Sequence, residues 1–189
     1  MRHGLIALLT LFVLAHSAAA GAQTGTRPLW TASGTAGLGQ TWDDESSLGR
    51  GLFLGGQVER RLKHGLSFEC GVDWLSHQRG YGAFQADGHM TVVGAALKYS
   101  WSGTAASSYV GGGFGIARYS GSTRFEGVER SNHANLSGPS VGGGVSFSLR
   151  NGWRLGPEAR LLLLSPTTDE MPALAIVGGV RVAFPIGGH

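Results

Sequence analysis

The stretch Leu174-Ala-Ile-Val-Gly-Gly-Val-Arg-Val-Ala-Phe184 is the most telling in the chain. Read at period two, it sets Leu174, Ile176, Val180, Val182 and Phe184 on one face and Arg181 on the other, because side chains i and i+2 of a strand project to the same side. An apolar row that closes on an aromatic, opposite a face that carries an ion, suits a strand with lipid on one side and a polar interior on the other.

The same alternation recurs upstream. Eight segments carry it, bounded by Gly, Ser, Asn and Asp: Leu29 to Trp42, Gly51 to Leu62, Leu66 to Ser76, Met90 to Trp101, Ser108 to Tyr119, Gly138 to Leu149, Trp153 to Leu164 and Leu174 to Phe184. Each approaches the roughly 9 to 11 residues that a tilted membrane strand requires. Short connectors at Lys63-His-Gly65, Ser102 to Ser107 and Arg150-Asn-Gly152 alternate with longer ones at Asp43 to Arg50, His77 to His89, Ser120 to Ser137 and Ser165 to Ala173. Short turns at one end and long loops at the other predict an all-β, eight-stranded antiparallel up-and-down transmembrane barrel. The apolar face runs through Ala32, Ala36 and Leu38 to Val93, Ala95 and Leu97, and on to Leu155, Ala159, Leu161 and Leu163.

The N-terminus supports export. Arg2 and His3 precede an apolar run from Leu5 to Ala15 and small residues at Ala18-Ala-Ala-Gly-Ala22, which reads as a cleavable signal peptide over residues 1–22. Residues 23–189 are then expected to form one barrel domain. The 33 glycines disfavour helix. Cys70 is the one cysteine and has no intrachain partner. The net charge of +3 falls to +2 without Arg2, too weak a bias to suggest nucleic acid.

Aromatic residues cluster at the predicted strand ends. Trp30, Tyr99, Trp101, Tyr109, Trp153 and Phe184 fall at the periplasmic side, and Trp42, Trp74 and Tyr119 at the extracellular side, as expected of two interfacial girdles. The opposite strand faces carry Glu59, Arg61, Glu69, Asp73, Lys98, Arg154, Glu158, Arg160 and Arg181. Unpaired ions in a narrow lumen cost several kcal/mol each, so four acids among five bases predict a lattice of interior salt bridges. Glycines at Gly111 to Gly113 and Gly142 to Gly144 leave room for these side chains in a tube just wide enough to be filled by them, which argues against a wide channel.

With leader, strands, girdles and terminal aromatic strand together, Leu29 to Phe184 resembles the small eight-stranded outer-membrane proteins of the OmpA/OmpX kind. The resemblance implies an integral outer-membrane protein, monomeric, and inserted by the barrel-assembly machinery through a closing-strand signal at Gly179, Val182 and Phe184. The chain departs from the family pattern at Val177, where a polar residue is usual, and in the residues Pro185-Ile-Gly-Gly-His189 that follow the final aromatic.

Small barrels of this size include lipid A-modifying enzymes, and two Ser, His and acid sets lie near the extracellular rim. One is Asp73, Ser76 and His77. The other joins His133 with Ser131 or Ser137 and Glu126 or Glu129. Neither adjacency supplies the nucleophile-to-base geometry, and the His-x-Ser spacing of the lipid A 3-O-deacylases is absent because Asn135 follows His133 by two. His77, His89 and His133 are scattered in predicted loops without paired ligand spacing, so no metal site and no cofactor is expected. Arg79, Arg118, Arg124 and Arg130, in or beside the same loops, suit lipopolysaccharide phosphates through their planar forks of donors. The expected role is structural or surface-interacting and not enzymatic. The alternatives are a rim lipid-modifying enzyme or a narrow pore.

Overall fold

The computed structural model describes residues 30–42, 47–81, 84–102, 106–126, 128–149, 152–166 and 173–186; the expected leader lies outside them. Eight strands follow one another: β1 (Trp30–Trp42), β2 (Ser47–Arg61), β3 (Leu66–Tyr81), β4 (Phe84–Ser102), β5 (Ala106–Phe125), β6 (Val128–Ser148), β7 (Arg154–Pro166) and β8 (Ala173–Ile186). Each pairs antiparallel with its chain neighbours, and β8 closes onto β1 from Trp30↔Ile186 to Trp42↔Leu174. Closure leaves no unpaired sheet edge within the bilayer, where a bare backbone N–H or C=O costs several kcal/mol.

Alternation holds around the wall. Leu38 is 71% exposed and Ile116 65%, while Val177, Leu75 and Phe53 on inward-facing positions are each 2% exposed. Apolar side chains thus cover the outside and fill part of the inside, the reverse of a water-soluble surface. The end that carries the first and last described residues is called here the near end. In the β2–β3 turn the Leu62 N–H donates to the Leu66 carbonyl at 2.9 Å, and His64 and Gly65 both take positive φ.

Strands β3 to β6 run well past what their alternation predicts, and β2 begins at Ser47, inside the expected Asp43 to Arg50 loop. Within the segments His77 to His89 and Ser120 to Ser137, expected as long loops, the ladder instead runs on as far as Tyr81 paired with Phe84 and Phe125 paired with Val128. Alternation ends where lipid ends, because outside the bilayer both faces meet water and neither must be apolar. The hydrogen-bond ladder has no such limit. The result is a sheet of β3 to β6 that rises past the apolar band at the far end.

Candidate functional site

The interior has two layers. Nearer the termini, Lys98 Nζ lies 3.0 Å from both Glu59 and Glu69. Arg181 reaches Glu69 at 2.6 Å, Glu158 at 2.9 Å and Glu59 at 3.5 Å. Arg160 joins Glu158 at 2.7 Å, Asp73 at 2.9 Å and Glu69 at 3.7 Å. Seven of the nine ions named from sequence therefore meet in one lattice. Arg61 and Arg154 also face inward, and each has a partner.

Neutral groups complete the lattice. The Gln57 amide donates to Asp73 at 3.0 Å, and its carbonyl accepts from Ser33 at 3.1 Å. The Tyr109 hydroxyl donates to Glu158, while Lys98 Nζ sits 4.1 Å over the Tyr109 ring. Each charge is thereby held by ions and hydrogen bonds together, the condition under which buried ions are tolerated. Cavities of about 40 and 50 Å³ beside Arg160 are the size of one or a few waters and do not make a channel.

Toward the far end the interior turns apolar. Phe53, Leu75, Met90, Val92, Ala117, Leu136, Leu162, Leu164, Ala175 and Val177 form a buried plug. Its traces in sequence are runs with no alternation, such as Leu161 to Leu164, where Leu162 and Leu164 turn in while Leu163 turns out. His77 and Tyr119 cap the plug, their rings stacked at 5.3 Å and Nε2 3.2 Å from the hydroxyl. His77 lies beyond Trp74 and the apolar band. Burial, with His89 adding to it, holds its imidazole below the ordinary histidine range against the opposing pull of Asp87.

Several site expectations need correction. Tyr109 and Tyr119 are not girdle residues. Their strand parity, opposite to that of Val110 and Ile116, turns both inward, Tyr109 into the ion lattice and Tyr119 onto His77. Trp30, Tyr99, Trp101, Trp153 and Phe184 do face outward at the near end, with Tyr99 edge-on to Trp101 at 4.9 Å and Trp153 5.5 Å from Phe184. Trp42 and Trp74 stand half-buried at the far end. In the expected assembly signal, Val182 and Phe184 face out and Gly179 faces in. A Cβ on Gly179 would stand 2.4 Å from the Ala36 carbonyl oxygen, so the closing seam itself demands glycine here.

The first rim set does not converge. Ser76 points outward and bonds the Leu52 backbone, His77 points inward, and Asp73 is held by Arg160 and Gln57. In the second set His133 Nδ1 lies 3.1 Å from the oxygen of Ser120, not of Ser131 or Ser137, and Glu129 is tied to Arg124 at 2.8 Å. Glu126 sits at the tip of the β5–β6 hairpin with φ 48°. His77, His89 and His133 are on strands, the first inside the wall and the others outside. No group of three or more His, Cys, Asp or Glu gathers as a metal site among the described residues. Of the four arginines, Arg118 and Arg124 share the outer face of β5, whereas Arg79 and Arg130 follow inward-facing parity above the plug and are exposed at the open far end.

This architecture is that of an integral outer-membrane barrel, and residues 5–184 match the family described as outer membrane protein beta-barrel domain. The chain belongs to that family, which places it in the outer membrane. Among solved structures it is similar to Neisserial surface protein A, with 16% identity over 81% of this chain and 96% of that one at a TM-score of 0.60. It is also similar to the attachment invasion locus protein Ail of Yersinia pestis, with 14% identity, 84% and 100% coverage and a TM-score of 0.55. A major outer membrane protein of Thermus thermophilus aligns at 13% identity, 82% and 99% coverage and a TM-score of 0.51. At such identities these likenesses concern the fold. No curated protein matches by sequence.

Proposed function

We propose that this protein is exported by its leader, residues 1–22, is inserted by the barrel-assembly machinery as a monomer, and serves as a closed, non-enzymatic barrel. Its role is structural and surface-interacting, carried by the β3–β6 sheet beyond the outer leaflet. The observation that carries this reading is the double occlusion of the lumen, an ion lattice backed by an apolar plug. A barrel sealed in this way leaves its outer wall and raised hairpins as the surfaces for specific contact. The partners that fit are outer-membrane lipid and lipopolysaccharide, whose phosphates suit Arg118 and, higher up, Arg79 and Arg130, whereas Arg124 is already engaged by Glu129.

Two measurements test the reading. In planar bilayers the refolded protein is expected to give no discrete currents, and step conductance would overturn the sealed barrel. In cells lacking the protein, a version with the β3–β4 and β5–β6 hairpins shortened to the level of Trp74 and Arg118 is expected to insert as a heat-modifiable barrel without restoring detergent resistance. Full restoration by that version would remove the raised sheet from the function.

A further inference from the structure

Strand register sorts the outer wall into lateral rows. The highest row still touching the apolar band runs Trp74↔Thr91↔Arg118↔Asn135 across β3 to β6. The next row away from the membrane runs Ser76↔His89↔Ser120↔His133, all outward-facing. Directly below Arg118 on the same face stand Ile116 and Phe114, 65% and 56% exposed. A permanent cation, a hydroxyl and two imidazoles therefore sit immediately above two large apolar side chains, on one side of the barrel.

We infer that this wall is a binding site for a phosphate-bearing lipid of the outer leaflet, with the phosphate on Arg118, Ser120, His89 and His133 and an acyl chain lying on Ile116 and Phe114. The inference rests on the surface reading above and deepens it by naming the site. Arg118 forms no ion pair among the described residues, whereas Arg124, farther up the same strand face, is already tied to Glu129 at 2.8 Å. A guanidinium offers a phosphate a planar fork of charge-assisted donors. His133 Nδ1 is engaged with Ser120 at 3.1 Å, which orients the ring and keeps Nε2 for a ligand. The charged groups nearest on this face are Asp87, one row above His89 on β4, and the self-neutralised Arg124–Glu129 pair on β5 and β6; β3 contributes only Ser76 and Gln78. A lipid is favoured over a free phosphate because the donors begin where the apolar wall stops, so one amphiphile satisfies both.

The test is native mass spectrometry of the folded, heat-modifiable full-length mature barrel released from detergent, offered lipid A with its phosphates or enzymatically dephosphorylated lipid A. Wild type is expected to retain the phosphorylated form about tenfold better, the size of one good charge-assisted contact. Arg118→Gln with Ser120→Ala is expected to bring the ratio near one, while Arg124→Gln leaves it unchanged. Equal retention of both lipids by wild type, or equal loss in Arg124→Gln, overturns the site but leaves the closed-barrel reading standing. Displacement of the lipid by millimolar inorganic phosphate would also overturn it, since the phosphate would then suffice without the chain. Failure of the wild type to form a heat-modifiable barrel would remove both readings together.

Discussion

Replacing Arg181 by methionine removes a cation that touches three of the four carboxylates of the interior lattice. Four carboxylates, Glu59, Glu69, Asp73 and Glu158, face three cations, Lys98, Arg160 and Arg181, so the joined cluster carries a net charge of −1. The substitution takes it to −2 in a site where Arg181 is only 6% exposed. Breaking a buried pair by removing one partner costs about 3–5 kcal/mol. Here no carboxylate is wholly orphaned. Glu69 keeps Lys98 at 3.0 Å and Arg160 at 3.7 Å, and Glu158 keeps Arg160 at 2.7 Å together with the Tyr109 hydroxyl. The loss is therefore expected at the lower end, about 3 kcal/mol. Adding Glu69→Gln returns the cluster to −1, so the double variant is expected to be at least about 1 kcal/mol more stable than the two single losses sum to. Urea unfolding and refolding in phospholipid vesicles, followed by tryptophan emission and by the mobility shift between cold and boiled samples, reads both numbers. As a control, Glu129→Gln breaks a pair whose side chains are 58% and 51% exposed and is expected to change stability by a few tenths of a kcal/mol. If Arg181→Met unfolds with the wild type, or if the double variant is strictly additive, the lattice does not hold the interior together.

Other perturbations separate the remaining parts of the barrel. Gly179→Ala sets a Cβ against backbone of β1 and is expected to cost about 3 kcal/mol or more, or to prevent closure. Gly56→Ala, whose Cβ would meet nothing within 4 Å, is expected to stay within about 0.5 kcal/mol; comparable heat-modifiable fractions for the two would sink the seam argument. Leu164→Ala opens a hole in the plug at a residue 1% exposed and is expected to cost about 2–5 kcal/mol in the same urea assay. His77 has a folded-state pKa below its unfolded value, so its contribution is fully present above about pH 6.5 and is lost as the pH falls through the folded value. The urea midpoint of wild type is then expected to fall on acidification more than that of His77→Gln, and parallel pH curves would show that His77 is not the group responsible.

How much of this was legible in the sequence depends on what the environment imposed on each residue. Lipid imposes alternation strictly, and so the outward rows, the strand count and the inward ions could be read from Leu174 to Phe184 and from its seven counterparts. Water imposes nothing comparable, so the ladder above Trp74 and Arg118 looked like loop although its hydrogen bonds continue to Tyr81 and Phe125. The same alternation turns Tyr109 inward beside an outward Val110, although an aromatic residue at a strand end by type alone suits a girdle. The apolar plug was hidden for another reason. Inward leucines next to outward leucines erase the period that reveals a lipid face, and only a continuous run such as Leu161 to Leu164 marks a wall that is apolar on both sides. The His89, Ser120 and His133 row lay beyond local reading altogether. Its members come from three strands, and cross-strand register brought them to one level. A barrel wall thus builds its outer sites from residues far apart in the chain, whereas neighbours within one segment, such as Asp73, Ser76 and His77, are divided by the strand between its two faces.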